Sequence, residues 1–431
     1  MRTNKIRYAT LLILSYFFRL GMVSGQVPDT IYAPNIHTVR LYPAGNQLGM
    51  AVIHLGQGDQ LELHFDDLDA DVKSYYYTYQ LCDANWIPAD LSPFDYIKGF
   101  TQLRISSYRN SSVSLTPYTH YQALIPDQNC YPTRSGNYIL KVFLDGDTSQ
   151  LVFTKRLLVV DNKASIMARV VQPYDPDLMQ THQRLQFIVD FKGLDAYNTG
   201  QQVKAVVLQN YRWDNAKVNL TPTFNRGNSL EYNSQSLAVF PGGKEWRWLD
   251  ITDFRLQSAN VARADYQNRS TEIYLRPDGP RDQQQYVYYQ DHNGMYLSTA
   301  IRGLNPLWEA DYATVHFSFY PPGGIPYPDK DLYLFGQLTN YNYCDSLKMV
   351  FNPEKKVYET HLLLKQGYYD YTYEAVDKNP PYLRHQLDGN SFETENIYTI
   401  LIYFRSFTDR ADQLIGIANI DSRLSNPGLN F

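Results

Sequence analysis

Apolar and polar residues alternate with a period of two along much of this chain. Leu61, Leu63 and Phe65, for example, alternate with Glu62 and His64. Because successive side chains of a strand point to opposite faces of a sheet, this period predicts β-strands. Further stripes of the same kind occur at residues 138–144, 185–191 and 369–375. No segment shows a convincing helical period of about 3.6 residues.

Short strands separated by turn residues indicate the fold class. Gly, Pro, Asn and Asp punctuate the apolar stripes, which is typical of β-sandwiches rather than of alternating strands and helices. The sequence therefore predicts an all-β protein of tandem immunoglobulin- or fibronectin-like β-sandwich domains. A chain of 431 residues is long enough for roughly two to four domains.

Polar junctions divide the chain into predicted segments. A polar turn at residues 161–163 follows a complete strand, and Asn305 and Pro306 open another strand-rich region. The predicted segments are a signal peptide (1–25), an N-terminal β-sandwich (26–161), a middle β-sandwich (162–304), a C-terminal β-sandwich (305–407) and a polar tail (408–431). We expect the tail to be poorly ordered.

The first residues have the pattern of a cleavable export signal. Lys5 and Arg7 precede an apolar stretch at residues 10–18, and small residues at 23–25 provide a cleavage site before Gln26. The apolar stretch is too short to span a bilayer, which needs about 20 residues. We therefore expect an exported mature protein that begins near Gln26.

Composition argues against several classes of partner. The 39 basic and 44 acidic residues are spread evenly and give a formal charge of −5, so no basic stripe for nucleic acid or an anionic membrane is present. The longest apolar run after the signal, residues 398–404, is too short for a membrane span. The 38 Tyr, 20 Phe and 5 Trp residues fit strand faces and binding interfaces.

The 3 cysteines are too few for a disulfide scaffold. Cys82 and Cys130 lie in the same predicted domain, so they are the candidate pair, and Cys344 would then be a free thiol. Spacing alone leaves two alternatives open, one disulfide or three buried free thiols.

Candidate metal and cofactor sites do not match their motifs. Asp67, Asp69 and Asp71 are spaced like the start of a calcium loop, but Val72 and Thr78 occupy the positions that need glycine and glutamate. The 9 histidines are scattered without zinc-ligand spacing. We predict no metal and no cofactor, and interpret the three aspartates as a solvated turn.

Catalytic motifs are absent from the sequence. It contains no GxSxG nucleophile motif, phosphate loop or dinucleotide fingerprint. A pair of carboxylates brought together by the fold stays open as a glycosidase site. No catalytic residue is therefore predicted.

Two tryptophans are candidates for sugar stacking. Trp246 and Trp248 share a face if they lie on one strand. Aromatic pairs are more often a packing device, so the structural interpretation is favoured over a sugar platform.

A resemblance to early-set immunoglobulin-like domains appears in the third segment. LYLFGQLTNY at residues 332–341 and KQGYYDY at 365–371 resemble the strand and hairpin of this group, which includes glycogen- and starch-binding modules. The glycan-binding members have tryptophans near the positions of Tyr341 and Tyr343. The resemblance thus implies the fold without the sugar-stacking residues.

Almost the whole mature chain also resembles a Bacteroidetes family of exported β-proteins, the plugs of the type IX secretion translocon. The motifs that carry this resemblance are YQLCDANW (79–86), YIKGF (96–100), YTHY (118–121), SGNY (135–138), QNYRWDN (209–215) and YQDHNG (289–294). Each motif alone is weak, but their order over this length is more specific. The resemblance implies a partner, a large outer-membrane β-barrel, whose periplasmic opening the protein occludes when no cargo is passing.

Three functional hypotheses follow from these observations. The first is a non-enzymatic plug that binds the translocon barrel through a surface the sequence does not identify. The second is an exported carbohydrate-binding accessory protein, supported by the resemblance of the third segment to glycogen- and starch-binding modules and by Trp246 and Trp248. The third is a glycosidase or peptidase with an unrecognised site.

Overall fold

β-Strands make up nearly all the secondary structure of this protein. A computed structural model describes residues 28–191, 194, 198–256, 258–301 and 303–424. Besides strands, this part contains a single short helix, α1 (Thr199–Gln202), and 3-10 turns at Pro93–Asp95, Pro322–Gly324, Gln337–Thr339 and Asp345–Leu347. No helix within it is long and apolar enough to cross a bilayer. The predicted all-β class is confirmed, and the predicted signal peptide, residues 1–25, lies outside the described residues.

The first group of strands, here called unit I, is a sandwich of two sheets. Its strands are β1 (Ile36–Pro43), β2 (Val52–His54), β3 (Leu61–Asp67), β4 (Tyr75–Cys82), β5 (Ile97–Gly99), β6 (Leu103–Arg104), β7 (Ser107–Asn110), β8 (Thr119–Ile125), β9 (Cys130–Pro132), β10 (Gly136–Leu144) and β11 (Leu151–Val160). One sheet has the order β1-β3-β8-β7 and the other β2-β11-β10-β4-β6, while β5 and β9 form a separate ribbon. The two sheets enclose one core, in which Phe65 packs against Phe153.

Unit II is a second sandwich and is assembled from two separate parts of the chain. Its strands are β12 (Ala164–Val171), β13 (His182–Phe191), β14 (Val203–Gln209), β15 (Arg212–Leu220), β16 (Phe224–Arg226), β17 (Ser229–Tyr232) and β18 (Val239–Pro241), followed much later by β29 (Ile397–Phe404) and β30 (Gln413–Asp421). One sheet has the order β12-β13-β17-β16 with β18 beside β13, and the other β15-β14-β29-β30.

Unit III lies in sequence between the two parts of unit II. Its strands are β19 (Arg247–Asp250), β20 (Val261–Tyr266), β21 (Thr271–Leu275), β22 (Tyr296–Ser298), β23 (Tyr312–Phe319), β24 (Lys330–Phe335), β25 (Val350–Asn352), β26 (Val357–Lys365), β27 (Gly367–Asp377) and β28 (Arg384–Gln386). β20-β21-β23-β26-β25 form one sheet, and the long strand β27 organises the other by pairing with β19, β22, β24 and β28. Phe317 and Tyr371 meet edge to face in the core between them.

Alternation explains how the tyrosine runs fit into these sheets. Tyr75, Tyr77 and Tyr79 on β4 are buried in the core of unit I, while Tyr76 and Thr78 face the other side of the sheet. Aromatic rings bury large areas and suit a pleated surface, so such runs form strands with a tyrosine-rich inner face.

Strand pairing differs from the segments predicted by sequence. β29 falls within the predicted C-terminal sandwich (305–407), yet it pairs with β14 in unit II. β19 to β22 fall within the predicted middle sandwich (162–304), yet they belong to the sheets of unit III. Both differences have the same kind of cause, because β14 pairs with β29 and β19 pairs with β27, strands far away in sequence, and local patterns do not record such pairing.

The predicted polar tail, residues 408–431, is wrong over the length of β30. This strand pairs with β29 and buries Leu414 and Ile415 completely. Polar residues on both sides of the apolar run at 414–418 made the whole stretch look like a tail. Residues 425–431 lie outside the described residues.

Candidate functional site

The three aspartates that resemble a calcium loop surround a lysine. Lys73 Nζ lies 2.7 Å from Asp67, 2.6 Å from Asp69 and 2.9 Å from Asp71. The carboxylate oxygens lie close enough together to hold a cation. The Lys73 ammonium already supplies positive charge at that point, so the cluster is explained as an ion-pair network.

Cys82 and Cys130 are both buried and both free. Cys130 belongs to the core of unit I, together with Tyr79 and Leu81. Cys82 follows Leu81 on β4, so its side chain points to the opposite face of the sheet. The structure therefore favours the alternative of free thiols, because the two side chains point to opposite faces of the sheet.

The aromatic residues considered for sugar stacking contact other side chains, and one of them, Trp246, is buried. Trp246 is only 8% exposed, with its ring 6.4 Å from the ring of Phe335 and 6.4 Å from that of Tyr341. Trp248 stacks instead on Tyr368. Tyr343 donates a hydrogen bond to Glu374. A buried tryptophan cannot stack on a sugar, so Trp246 serves the packing of unit III and its contact with unit II. Trp248 and Tyr343 are half-buried and contact neighbouring side chains of unit III.

Buried polar side chains join unit I to unit III. Asp66 on β3 is fully buried and accepts bonds from Lys365 Nζ at 2.6 Å and from Tyr312 Oη at 2.5 Å. His120 Nδ1 lies 2.6 Å from the other carboxylate oxygen of Asp66, and His64 lies 3.1 Å from His120. Burial raises the pKa of Asp66, but Lys365 and His120 outweigh it and hold that pKa below its ordinary value.

A cation held between two indole rings marks the junction of units I and II. The guanidinium of Arg156 lies 4.9 Å from the ring centre of Trp86 and 5.4 Å from that of Trp213. The two indoles meet edge to face at 4.8 Å. Contacts of this kind contribute about 0.5–2 kcal/mol each, the higher values when the cation is desolvated.

Further polar contacts of this junction are buried among apolar side chains. Tyr403 Oη donates to Asn137 at 2.8 Å, and the carboxylate of Asp412 accepts from the backbone N–H of Ala84 and from Lys204. An apolar cluster contributed by both units covers them. Strand β30, which ends unit II, therefore docks directly onto unit I.

Alternating charges connect units II and III. Arg212 of unit II lies 2.8 Å from Asp214 and 3.7 Å from Glu374 of unit III. Asp214 in turn lies 2.9 Å from Arg384 of unit III. Burial and the nearby Asp214 carboxylate raise the pKa of Glu374 against the opposing effect of Arg212, whose guanidinium stays charged.

An acidic cluster lies beside this second junction. Burial raises the pKa of Glu245 to about 7, that of Asp291 to about 6 and that of Asp370 to about 8. Glu395, which leads into β29, is electrostatically coupled to Glu245 and Asp291. None of the four has an ion-pair partner among the residues described here. The cluster is therefore most stable when some of its carboxyl groups are protonated.

The motifs that carry the family resemblance supply many of these contacts. YQLCDANW provides Ala84 and Trp86, SGNY provides Asn137, and YTHY provides His120. QNYRWDN supplies the arginine, tryptophan and aspartate of unit II at its junctions with the other two units. The turn in YQDHNG belongs to the acidic cluster. These residues hold three sandwiches in one arrangement, a role that spacing along the chain does not reveal.

Asp66 and Lys365 were not predicted from the sequence. Asp66 follows the outward-facing positions Glu62 and His64 of β3, so alternation assigns it to solvent. Lys365 is the last residue of β26, next to a glycine-containing hairpin, and it follows Leu364, whose side chain enters the core. Alternation therefore assigns Lys365 to solvent as well. The available signal was the histidine of YTHY on the neighbouring strand, which lies on the same face as Asp66.

Comparisons with known proteins agree with this architecture. A family model described as "Type 9 secretion system plug protein 1st domain" matches residues 36–161, which is unit I from β1 to the end of β11. The crystal structure of a hypothetical protein from Parabacteroides merdae ATCC 43184 matches with a TM-score of 0.87 and 31% identity, covering 92% of this chain and 100% of that chain.

Two other results add no further information on function. The structure of dimeric latent PorU from Porphyromonas gingivalis gives a TM-score of 0.15 and 9% identity over 90% of this chain and 34% of that chain, too low to support any argument. A comparison with curated proteins found no match. On the strength of its first unit and of its full-length structural relative, this chain belongs to the type IX secretion system plug protein family.

Proposed function

We propose that this protein is a non-enzymatic periplasmic plug. In this role it binds the outer-membrane barrel of the type IX translocon and closes the periplasmic opening when no cargo is passing. A barrel wide enough for folded cargo would leak when idle, so a removable plug preserves the permeability barrier. The exported mature chain expected from the signal peptide is compatible with this location.

The observation that carries the proposal is the position of the family motifs at the junctions between units. A plug must keep its shape against an opening, and inter-unit interfaces within one chain are often loose unless they are large or specifically bonded. Here the buried Asp66–Lys365 pair, the Arg156–tryptophan stack and the Arg212–Glu374 contact tie the units together. A compact chain of this size has a radius of gyration of roughly 20 Å, large enough to obstruct a wide lumen.

Gene deletion tests the proposal directly. Deleting the gene while the barrel stays assembled should make the outer membrane permeable to large antibiotics. Deleting the barrel gene as well should restore the barrier, because no open pore remains. Unchanged permeability in the single deletion, with an assembled and unoccupied barrel, would show that the protein is not a plug.

A complementation control separates loss of the plug from general envelope damage. The wild-type gene should restore resistance to the single deletion strain. A variant with glutamate in place of Trp213, which places a charge in the junction of units I and II, should complement poorly if a fixed arrangement of units is needed. Full complementation by a variant whose units have come apart would contradict the rigid-body argument.

A further inference from the structure

Strand β7 ends one sheet of unit I at an open edge. All four of its residues are exposed, and it pairs with β8 without a bulge. Proteins usually protect such edges with bulges, very short strands or covering segments. Register shifts interrupt the pairing of the edge strands β1, β15 and β20, and the edge strands β16 and β25 have 3 residues each. β7 has no bulge, and although Arg109 packs on Trp308 of unit III at 4.4 Å, no described segment pairs with the outer backbone of β7.

The pairing with β8 fixes which backbone groups face outward. Ser111 N–H donates to Tyr118 O, so in this antiparallel register Ser107 and Arg109 bond to β8. Tyr108 and Asn110 therefore turn their N–H and C=O groups away from the sheet. Within the described part of the chain, no hydrogen bond to these outward backbone groups is present.

A cleft of about 660 Å³ adjoins the start of β7. The cleft forms because the chain enters this sheet from β6 only at Ser107, whereas the neighbouring strand β8 extends beyond that point to Ile125. Leu124 lies in this cleft and is 52% exposed. The register assigns its backbone N–H and C=O to the same open side of β8, so the unpaired edge continues from β7 into the cleft.

The cleft has a mixed lining that suits side chains of a peptide. Its apolar part comes from Leu103, Ile105 and Leu124, and its charged part includes Arg104 and Asp127. An extended peptide alternates its side chains between two faces, so one side chain in two could enter the cleft while the backbone follows the edge.

We propose that the edge of β7 and the adjoining cleft bind an extended segment of a partner protein, which adds a fifth strand to the sheet β1-β3-β8-β7. Unpaired N–H and C=O groups at strand spacing select a polypeptide backbone as the occupant, since main-chain bonds give affinity in strand addition and side-chain pockets give selectivity. The inference rests on the proposed function, in which the segment belongs to the translocon barrel.

Proline substitution tests the strand-addition geometry. Tyr108→Pro removes an outward N–H and leaves the bonds of Ser107 and Arg109 to β8 intact. Tyr108→Ala removes the same ring, which packs on Tyr121, but keeps the N–H. In the full-length protein we expect Tyr108→Pro to reduce co-purification with the barrel at least tenfold, and Tyr108→Ala less than threefold.

A second variant tests the cleft without touching β7. Leu124→Glu leaves β7 unchanged and places a charge where an apolar side chain would enter, and we expect at least a tenfold loss. Melting temperatures close to that of wild type show that the variants fold. Equal losses for Tyr108→Pro and Tyr108→Ala, or no loss for Leu124→Glu, would overturn strand addition at this edge.

Photo-crosslinking in cells separates this inference from the proposed function. A photoreactive phenylalanine is placed at Tyr108 or Leu124, and at Phe224 of unit II or Val350 of unit III, which are 50% and 71% exposed, as controls. If crosslinks to the barrel from positions 108 and 124 are at least ten times as abundant as those from the controls, they support both the plug function and strand addition at β7. Barrel crosslinks from the control positions alone support the plug function and overturn strand addition at β7. If no position crosslinks to the barrel, both proposals are overturned.

Discussion

The buried ion pair between units I and III gives the sharpest test of how this protein is held together. Lys365 Nζ lies 2.6 Å from Asp66, and both side chains are 1% exposed. Lys365 also donates to Leu307 O at 2.6 Å and lies 4.2 Å from the ring centre of Tyr118. Replacing Lys365 by Met keeps most of the side-chain volume and leaves Asp66 charged, buried and short of its main counter-ion.

The expected cost follows from that geometry. Breaking a buried pair by removing one partner costs about 3–5 kcal/mol, because an uncompensated charge stays behind. Removing both charges, as in Asp66→Asn with Lys365→Met, should cost much less, since replacing a whole buried pair is often close to neutral. The contacts of Lys365 with Leu307 and Tyr118 stay lost in both variants, so they set a lower limit on the cost.

Amide hydrogen exchange is the suitable measurement, because a chain of three packed units need not unfold in one step. At about 1.4 kcal/mol per tenfold change, Lys365→Met should speed exchange in β3 and β23 roughly 10²- to 10³-fold if these amides exchange by separation of the units. The double variant should recover most of the protection.

A surface pair provides the matched control. Lys355 lies 2.7 Å from Glu359 on unit III and is 65% exposed. Lys355→Met should change stability by less than about 1 kcal/mol. Exchange in Lys365→Met no faster than in this control, or a double variant as damaged as the single one, would refute the reasoning.

Three other predictions address pH, thiols and packing. Burial raises the pKa of Asp370 from its ordinary 3.8 to about 8, so its contribution to stability is full below about pH 4 and is lost as the pH rises towards 8. Midway between these values the free energy of unfolding should fall by about 1.4 kcal/mol per pH unit on account of this group, so Asp370→Asn should flatten that fall in chemical denaturation, and an unchanged slope would contradict the assignment. Because all three cysteines are free and Cys344 is exposed, thiol titration without reductant should count one reactive group in the native protein and three after unfolding; one after unfolding would restore the disulfide. Gly294 has φ +82 and an added Cβ would lie 2.6 Å from the Trp246 ring, so Gly294→Ala should destabilise the protein by about 1–3 kcal/mol in chemical denaturation, and a neutral result would mean that the ring moves freely.

Strands and their inner faces were predictable because alternation is a local property. The stripe Leu61, Leu63 and Phe65 identified both β3 and the side of it that enters the core. The tyrosine runs identified β4 and β27 for the same reason, since every second ring had to leave water. The ordered motifs likewise identified the family before any contact was known.

Pairing between distant strands was not predictable in this way. The segments 162–304 and 305–407 are contiguous in sequence, whereas unit II is completed by β29 and β30 after the chain has formed unit III. β29 is apolar or aromatic at almost every position and β30 contains an apolar run at residues 414–418, and neither pattern identifies the strand with which it pairs. The polar residues on both sides of the apolar run of β30 concealed it further.

By itself, then, the sequence determined that this chain is all-β, which face of many strands is apolar and to which family the protein belongs. Only the tertiary structure decided whether the other face of a strand is exposed to solvent or buried against another unit. Asp66 occupies a position that alternation assigns to water, yet it is fully buried because unit III covers that side of the sheet. A strand's pattern reports the burial of its own sandwich core, whereas burial between sandwiches depends on contacts between residues hundreds of positions apart, such as Asp66 and Lys365.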